Sequence, residues 1–148
     1  MTRAVAVEFR SPGKVGLTTI DVPAPRAGEL LVRVRACGIC MFDVTTFKGK
    51  LPAAFPRVAG HEGVGVVEQV GADVGTYKPG DKIAFLGGPA LSDYCLVKET
   101  NAALIPPRLK TMRCPPEVGR RTVDLGDALL TTPFISRLGR RRSSLATC

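Results

Sequence analysis

Tryptophan is absent from the chain, histidine occurs once, and aromatic residues are only 5% of its 148 residues. Aliphatic side chains must therefore build the core, and any imidazole chemistry falls to His61. No apolar run approaches the ~18 residues that a membrane-crossing helix needs. "MTRAVAVEF" alternates like a strand and lacks a cleavage site, so no signal peptide is read there. A cytoplasmic location and no membrane partner are the expectations. The five cysteines have no regular framework and are odd in number, which favours free thiols or metal ligands over disulfides.

An excess of charge is also missing where a nucleic-acid surface would need it. The net charge is +8, but residues 1–107 hold 12 Lys/Arg against 10 Asp/Glu, and residues 108–148 hold 9 against 3. The excess belongs to the C-terminal segment, so nucleic acid is not expected as a partner of the body.

What the chain does have is turns. Sixteen glycines and twelve prolines with 45% hydrophobic residues suit one mainly β domain of modest core and little long helix. Strands are expected at 3–9 and 14–20 around the turn "RSPG", and at 29–36, where Leu30, Val32, Val34 and Ala36 alternate with Arg33 and Arg35. Such a strand has one face on a core and one in water. Residues 38–50 lose the alternation and read as a loop or short helical turn, and "LPAAFP" as a Pro-bounded loop. Further strands are expected in "EGVGVVEQVG", "KIAFL", "SDYCLV" and "AALI". Seven or so short strands suggest a small barrel or sandwich. After Pro106-Pro107 the pattern stops, with at best one helical patch at 123–130.

Two Gly-flanked stretches carry chemistry: "GICMFD" at 38–43 and "AGHEGVG" at 59–65. Zinc accepts thiolate, imidazole and carboxylate, and a catalytic zinc takes three protein ligands plus water. Cys40 and Asp43 lie three apart, so one helical turn puts them on one face. Cys40 can then bind metal while Asp43 holds the other nitrogen of His61, fixing its tautomer. Glu62 would reach the same point only if the backbone bends, because adjacent strand residues face opposite ways. The alternative from spacing alone is a set of buried free cysteines. Cys37, at the end of the alternating strand, reads as a packing residue, and no βαβ pattern supports a Cys37–Cys40 redox pair.

"GHEGVGVVEQVGADV" at 60–74 resembles the zinc-containing alcohol dehydrogenase signature, in Gly60-His61-Glu62 and the spacing of Gly65, Gly71 and Val74. "GICMFD" is similar to the family's Gly-Ile-Cys-x-x-Asp segment, and "VGADVGTYKPGDKIAF" and "SDYCLVKETNAALIP" to the strands that follow. The resemblance covers about residues 1–107 and points to the GroES-like N-terminal domain of the medium-chain dehydrogenase/reductase superfamily. It implies a partly open, incomplete β-barrel with an irregular basic tail at 108–148. It further implies Cys40 and His61 as catalytic zinc ligands, Glu62 as an exchanging ligand and Asp43 as the residue orienting His61. The family's zinc polarises an alcohol or carbonyl oxygen while hydride passes to or from NAD or NADP. A small alcohol, polyol or aldehyde is the substrate this implies.

Three departures from the family matter. Phe42 stands where many members have a Ser or Thr that relays the substrate proton. Thr45, Thr46 or water is left for that task, or Phe42 shapes an apolar substrate pocket. "LGGPALSD" is too short for a four-cysteine structural zinc lobe, so one zinc at most is expected. No G-x-G-x-x-G occurs, so no Rossmann domain and no nicotinamide site are expected in this chain. The family's third zinc ligand normally lies beyond the resemblance; Cys95 and Cys114 are candidates for it, with unpaired thiols as the default.

These departures predict a zinc-binding catalytic segment, truncated and inactive alone, whose uncovered barrel edges self-associate. The alternative is a non-enzymatic zinc-binding GroES-like module with a basic interaction tail. That tail reads as an anionic-surface or phosphorylation segment, a disordered end, or a shifted reading frame.

Overall fold

The computed structural model describes residues 1–106 together with the strand Leu129–Thr131. Strand β1 (Thr2–Ser11) turns back into β2 (Lys14–Val22) through Gly13, whose φ of 72° is the left-handed conformation that glycine adopts without strain. A register shift between Phe9 and Ser11 sets the bend of this hairpin. There follow β3 (Glu29–Ile39), the helix α1 (Met41–Phe47), β4 (Arg57–Val58), β5 (Glu62–Val70), β6 (Lys82–Leu86), β7 (Tyr94–Lys98), β8 (Ala102–Leu104) and β9 (Leu129–Thr131).

The strands form two open sheets, one in the order β2-β1-β4 and one in the order β7-β3-β5-β6-β8, with β9 also paired to β3. Every ladder among the described residues is antiparallel, unlike the parallel sheet of a dinucleotide-binding fold. The sheets meet where Val7 N donates to Leu91 O at 2.8 Å and Asp93 N to Val5 O at 2.9 Å, beside a bridge between Ala6 and Ser92. The expected mainly β fold is therefore present, as open sheets that do not close into a barrel. No helix among the described residues is long and apolar enough to cross a membrane.

Each strand read from alternation is found, and two are added. Strand β4 lies just past the Pro-bounded loop and pairs with Glu8 and Phe9 of β1. Strand β9 falls within the segment expected to be irregular and overlaps the end of the helical patch at 123–130. Its reason is an open edge: β7 pairs with β3 only as far as Arg33, and β9 takes the same side at Cys37–Ile39. The rest of the basic segment, with Cys114 and most of that patch, lies outside the described residues.

The main core gathers Leu30, Val32, Val67, Ile83, Phe85, Cys95 and Val97 between the strands. Strand β3 departs from the expected one-sided pattern, because Leu31 is also buried, in a second cluster with Ala4 and Val22. The hairpin covers that side, so both faces of β3 are packed at its start. A register shift between Val34 and Ala36 then breaks the alternation, and Cys37 is buried in the same cluster as Leu30 and Val32.

Candidate metal centre

The centre is built at the junction of β3 and α1. Cys40 keeps an extended backbone (φ −100°, ψ 179°) and caps the helix, its Sγ accepting from Phe42 N at 3.2 Å. Asp43, one turn along, reaches back so that its Oδ2 accepts from Cys40 N at 3.1 Å. This reciprocal arrangement satisfies two of the donors a helix start leaves open. It also locks Asp43, which is buried, with Oδ1 turned 3.4 Å from His61 Nδ1. The contact is close enough for attraction, yet the Nδ1 geometry falls outside a hydrogen bond.

His61 is delivered by a glycine. Gly60 has φ 87°, and a Cβ there would lie 2.5 Å from Leu91 N and 2.8 Å from Cys37 Sγ. The segment is pinned by Leu91 N donating to Ala59 O at 3.0 Å and Gly87 N donating to His61 O at 2.5 Å. The chain bends at Gly60, just before β5 starts at Glu62, and a donor atom of His61 and one of Glu62 lie within 4.8 Å of each other.

The result is convergence. Cys40 Sγ and His61 Nε2 are 3.4 Å apart, and one donor atom each from Cys40, His61 and Glu62 lie within 4.8 Å of one another. Tetrahedral zinc with ordinary Zn–S and Zn–N bonds separates those two donors by about 3.6 Å. Glu62 Oε1 is buried without a hydrogen-bond partner, an arrangement that costs free energy unless a cation answers it. It lies over Gly38, where a Cβ would come within 2.7 Å of it. The donor set, its spacing and this cradle fit a zinc ion held by Cys40, His61 and Glu62.

Around the donors, Phe42 is half exposed and packs edge-on against the His61 ring, centroids 5.4 Å apart at 81°. A recess on the α1 side of His61 is lined by Phe9, Phe42, Asp43, Thr46, Arg57 and Ala59 among others. Its volume of ≈ 20 Å³ has room for about one water molecule. Thr45 is not free to serve the site, since its hydroxyl donates to Met41 O at 2.6 Å, with Phe42 O at 3.1 Å. Thr46 lines the recess with its hydroxyl unpartnered.

All four site residues read from the sequence, Cys40, Asp43, His61 and Glu62, are thus brought together. Cys95 is not: it is fully buried in the core, where burial pushes its thiol up to about 12. Burial, with the Asp43 charge adding to it, likewise raises Cys37 to about 12, and Cys37 Sγ lies 3.2 Å from Gly38 O. Arg57, Phe9 and the shaping role of Gly38 carried no sequence signal, because strand pairing and sheet approach, not spacing, bring them to the site.

The alcohol dehydrogenase GroES-like domain profile matches residues 26–111. An alcohol dehydrogenase class-3 of Cereibacter sphaeroides is 41% identical over 101 residues, 66% of this chain and 26% of that protein. The fold is similar to an alcohol dehydrogenase zinc-binding domain protein from Burkholderia ambifaria (TM-score 0.67, 25% identity, 72% of this chain and 42% of that one). It is also similar to a mycobacterial protein complexed with NADPH (TM-score 0.62, 27% identity, 72% and 34%). The chain therefore spans about a quarter of the class-3 relative and well under half of these structures. The profile match and the architecture together place the chain in the zinc alcohol dehydrogenase family of the medium-chain dehydrogenase/reductase superfamily, as its GroES-like domain.

Proposed function

We propose that this domain is the zinc-holding part of an NAD(P)-dependent alcohol or polyol dehydrogenase, an oxidoreductase acting on CH–OH groups. The observation that carries the reading is the convergence of Cys40, His61 and Glu62. Cys40 and His61 are the ligands, and Glu62 supplies the third donor. Asp43 fixes the His61 ring from behind, with its own position set by the cap it makes to Cys40. When bound there, zinc supplies Lewis acidity toward an alcohol or carbonyl oxygen. Phe42 presents an apolar wall beside His61 and suits a substrate with an apolar body next to its oxygen.

In this reading residues 1–107 are the domain and 108–148 a basic segment outside its catalytic design. NAD or NADP would serve as the hydride carrier, and the sequence carries no G-x-G-x-x-G to hold it. The chain alone then binds zinc and turns nothing over. Strand β2 is an outer strand with Val15 56% and Leu17 41% exposed, which favours self-association.

The test is metal analysis of the purified chain together with assays using NAD, NADP and a panel of alcohols and aldehydes. One zinc per chain and no turnover is the expected result. A metal-free chain that refuses zinc would overturn the site, and zinc-dependent turnover would overturn the claim that hydride transfer needs more than this chain.

A further inference from the structure

The hydrogen bonds of β1 fix which backbone groups the outer strand β2 turns to its free edge. Val7 N donates to Leu91 O at 2.8 Å and Val7 O accepts from Ala59 N at 3.0 Å. Val5 O likewise accepts from Asp93 N at 2.9 Å, and Val5 N donates to Asp93 Oδ2 at 3.1 Å. Both residues thus spend their backbone groups on the side away from β2. Leu17 and Thr19 stand opposite them in the antiparallel ladder, so each sits in a non-hydrogen-bonded pair and turns its own N–H and C=O outward. Val15, two residues before Leu17, turns the same way. The side chains of Val15 and Leu17 lie on the face that carries Val5, and all three are exposed. Between Lys14 and Asp21 the strand carries no charge. Among the described residues no strand pairs with this edge. Arg10 covers part of it: its guanidinium lies over Gly16, and Nη2 donates to Leu17 O at 3.3 Å.

We infer that β2 pairs antiparallel with β2 of a second copy about a two-fold axis at Leu17, with Arg10 as the latch on that edge. A two-fold axis normal to the sheet keeps the same face of both copies on the same side, so outward-turned residues meet outward-turned residues. Centring on Leu17 sets Leu17 against its counterpart and Val15 against Thr19, and each such pair exchanges two hydrogen bonds. The same register brings leucine beside leucine and one β-branched side chain beside another on the exposed face, the pairings that stabilise a sheet. Centring on Thr18 would keep the backbone match but set Val15 against Asp21 and Leu17 against Thr19, losing the apolar contacts. The strand is therefore close to self-complementary about Leu17, which selects a second copy as its partner. One strand edge buries less surface than a standard interface, so the dimer is weak and concentration-dependent.

This pairing rests on the self-association in the proposed function and gives it an edge and a register, yet it uses no metal ligand, so it and the zinc centre fail separately. Sedimentation velocity of the full chain over a concentration series, with chelator present, should show a monomer–dimer equilibrium. Leu17→Lys sets two like charges opposite each other and should weaken the dimer by at least about tenfold. Arg10→Ala frees Leu17 O and should tighten it severalfold. Leu17→Cys under a mild oxidant should link to its own counterpart, because paired Cα atoms about 5.5 Å apart suit a disulfide. Thr19→Cys is the register control: its counterpart is displaced by four residues, about 13 Å along the strand, and should stay unlinked. A parent that is monomeric at every concentration, association untouched by Leu17→Lys, or linkage of Thr19→Cys in place of Leu17→Cys overturns the inference. If Leu17→Lys does not fold, the joined peptide of Leu17→Cys, mapped by mass spectrometry, decides. A dimer with this register in a chain that refuses zinc supports the pairing and removes the metal reading, and a zinc-loaded monomer does the reverse.

Discussion

Cys37 and Cys40 stand three residues apart in one Gly-flanked segment and meet opposite fates. Cys37 lies in the packed end of β3, 5% exposed, in the same cluster as Leu30 and Val32. Cys40 lies one residue past the strand, where the chain has turned into the cap of α1, and its sulfur faces His61 Nε2 across 3.4 Å. The difference comes from the element each residue ends, not from the residue type or the spacing. A strand with both edges paired buries its side chain, and a helix cap leaves its side chain at the surface, pointed by backbone N–H groups. Gly60 serves both, because the Cβ it lacks would collide with Cys37 Sγ while its left-handed bend aims His61 at Cys40.

The sharpest way to break this contrast is to exchange the two thiols' environments by substitution. Cys40→Ser should weaken zinc binding on the order of a thousandfold, or about 4 kcal/mol. Cys37→Ser should leave zinc affinity within a few fold while lowering stability by roughly 1–3 kcal/mol, the cost of placing a more strongly hydrated hydroxyl among apolar neighbours. Chelator competition and urea unfolding on both variants read the two effects. Loss of zinc in Cys37→Ser at unchanged stability would mean that the thiols have been assigned the wrong way round.

Gly60 comes next in size. Gly60→Ala adds a Cβ 2.5 Å from Leu91 N in a residue at φ 87°. Left-handed strain and overpacking together predict a loss of roughly 2–4 kcal/mol in unfolding free energy. Zinc affinity should fall in the same variant, since the Cβ pushes on the segment that carries His61. A Gly60→Ala protein as stable as the parent would show that the Ala59–His61 pinning is loose and that His61 is aimed by something else.

How much of this was legible beforehand follows the same division. Alternation in "ELLVRVRA" and in "EGVGVVEQVG" marks β3 and β5, and the three-residue step from Cys40 to Asp43 marks the helical turn that puts both on one face, because these patterns are local and have a fixed period; that Cys40 caps the helix was not legible. Cys37 could be read as a packing residue, but not the register shift that turns it into the main core, since a bulge has no period. The burial of Leu31 needed the β1–β2 hairpin to be seen lying over β3. Strand β9 is opaque for a different reason: Leu129–Thr131 pairs with Cys37–Ile39 because that edge is open, and an open edge selects backbone, not side chains. Thr46, a candidate in the sequence, lies one helical turn past Asp43 on the same face of α1, whereas Arg57 reaches the recess only through the pairing of β4 with β1, which no spacing along the chain encodes.

The smallest predicted effect tests whether burial alone distinguishes the core thiols. Cys95 is raised from 9.0 to about 12 by desolvation. Below pH 9 both the folded and unfolded chains keep this proton, and it contributes nothing to the pH dependence of stability. Between pH 9 and 12 the unfolded chain releases the proton while the folded chain retains it, so folding becomes less favourable as pH rises. Going from pH 8 to pH 10 should therefore cost about 1.4 kcal/mol for this one thiol. Lysines and tyrosines titrate in the same range, so the informative quantity is the difference between parent and Cys95→Ala, in which packing loss is the same at both pH values. Urea midpoints at the two pH values should show the Cys95→Ala chain losing about 1.4 kcal/mol less than the parent. Equal losses would mean that the Cys95 thiolate is tolerated in the folded core. The contrast between packed and capping thiols would then rest on position alone, without a difference in the medium around the sulfur.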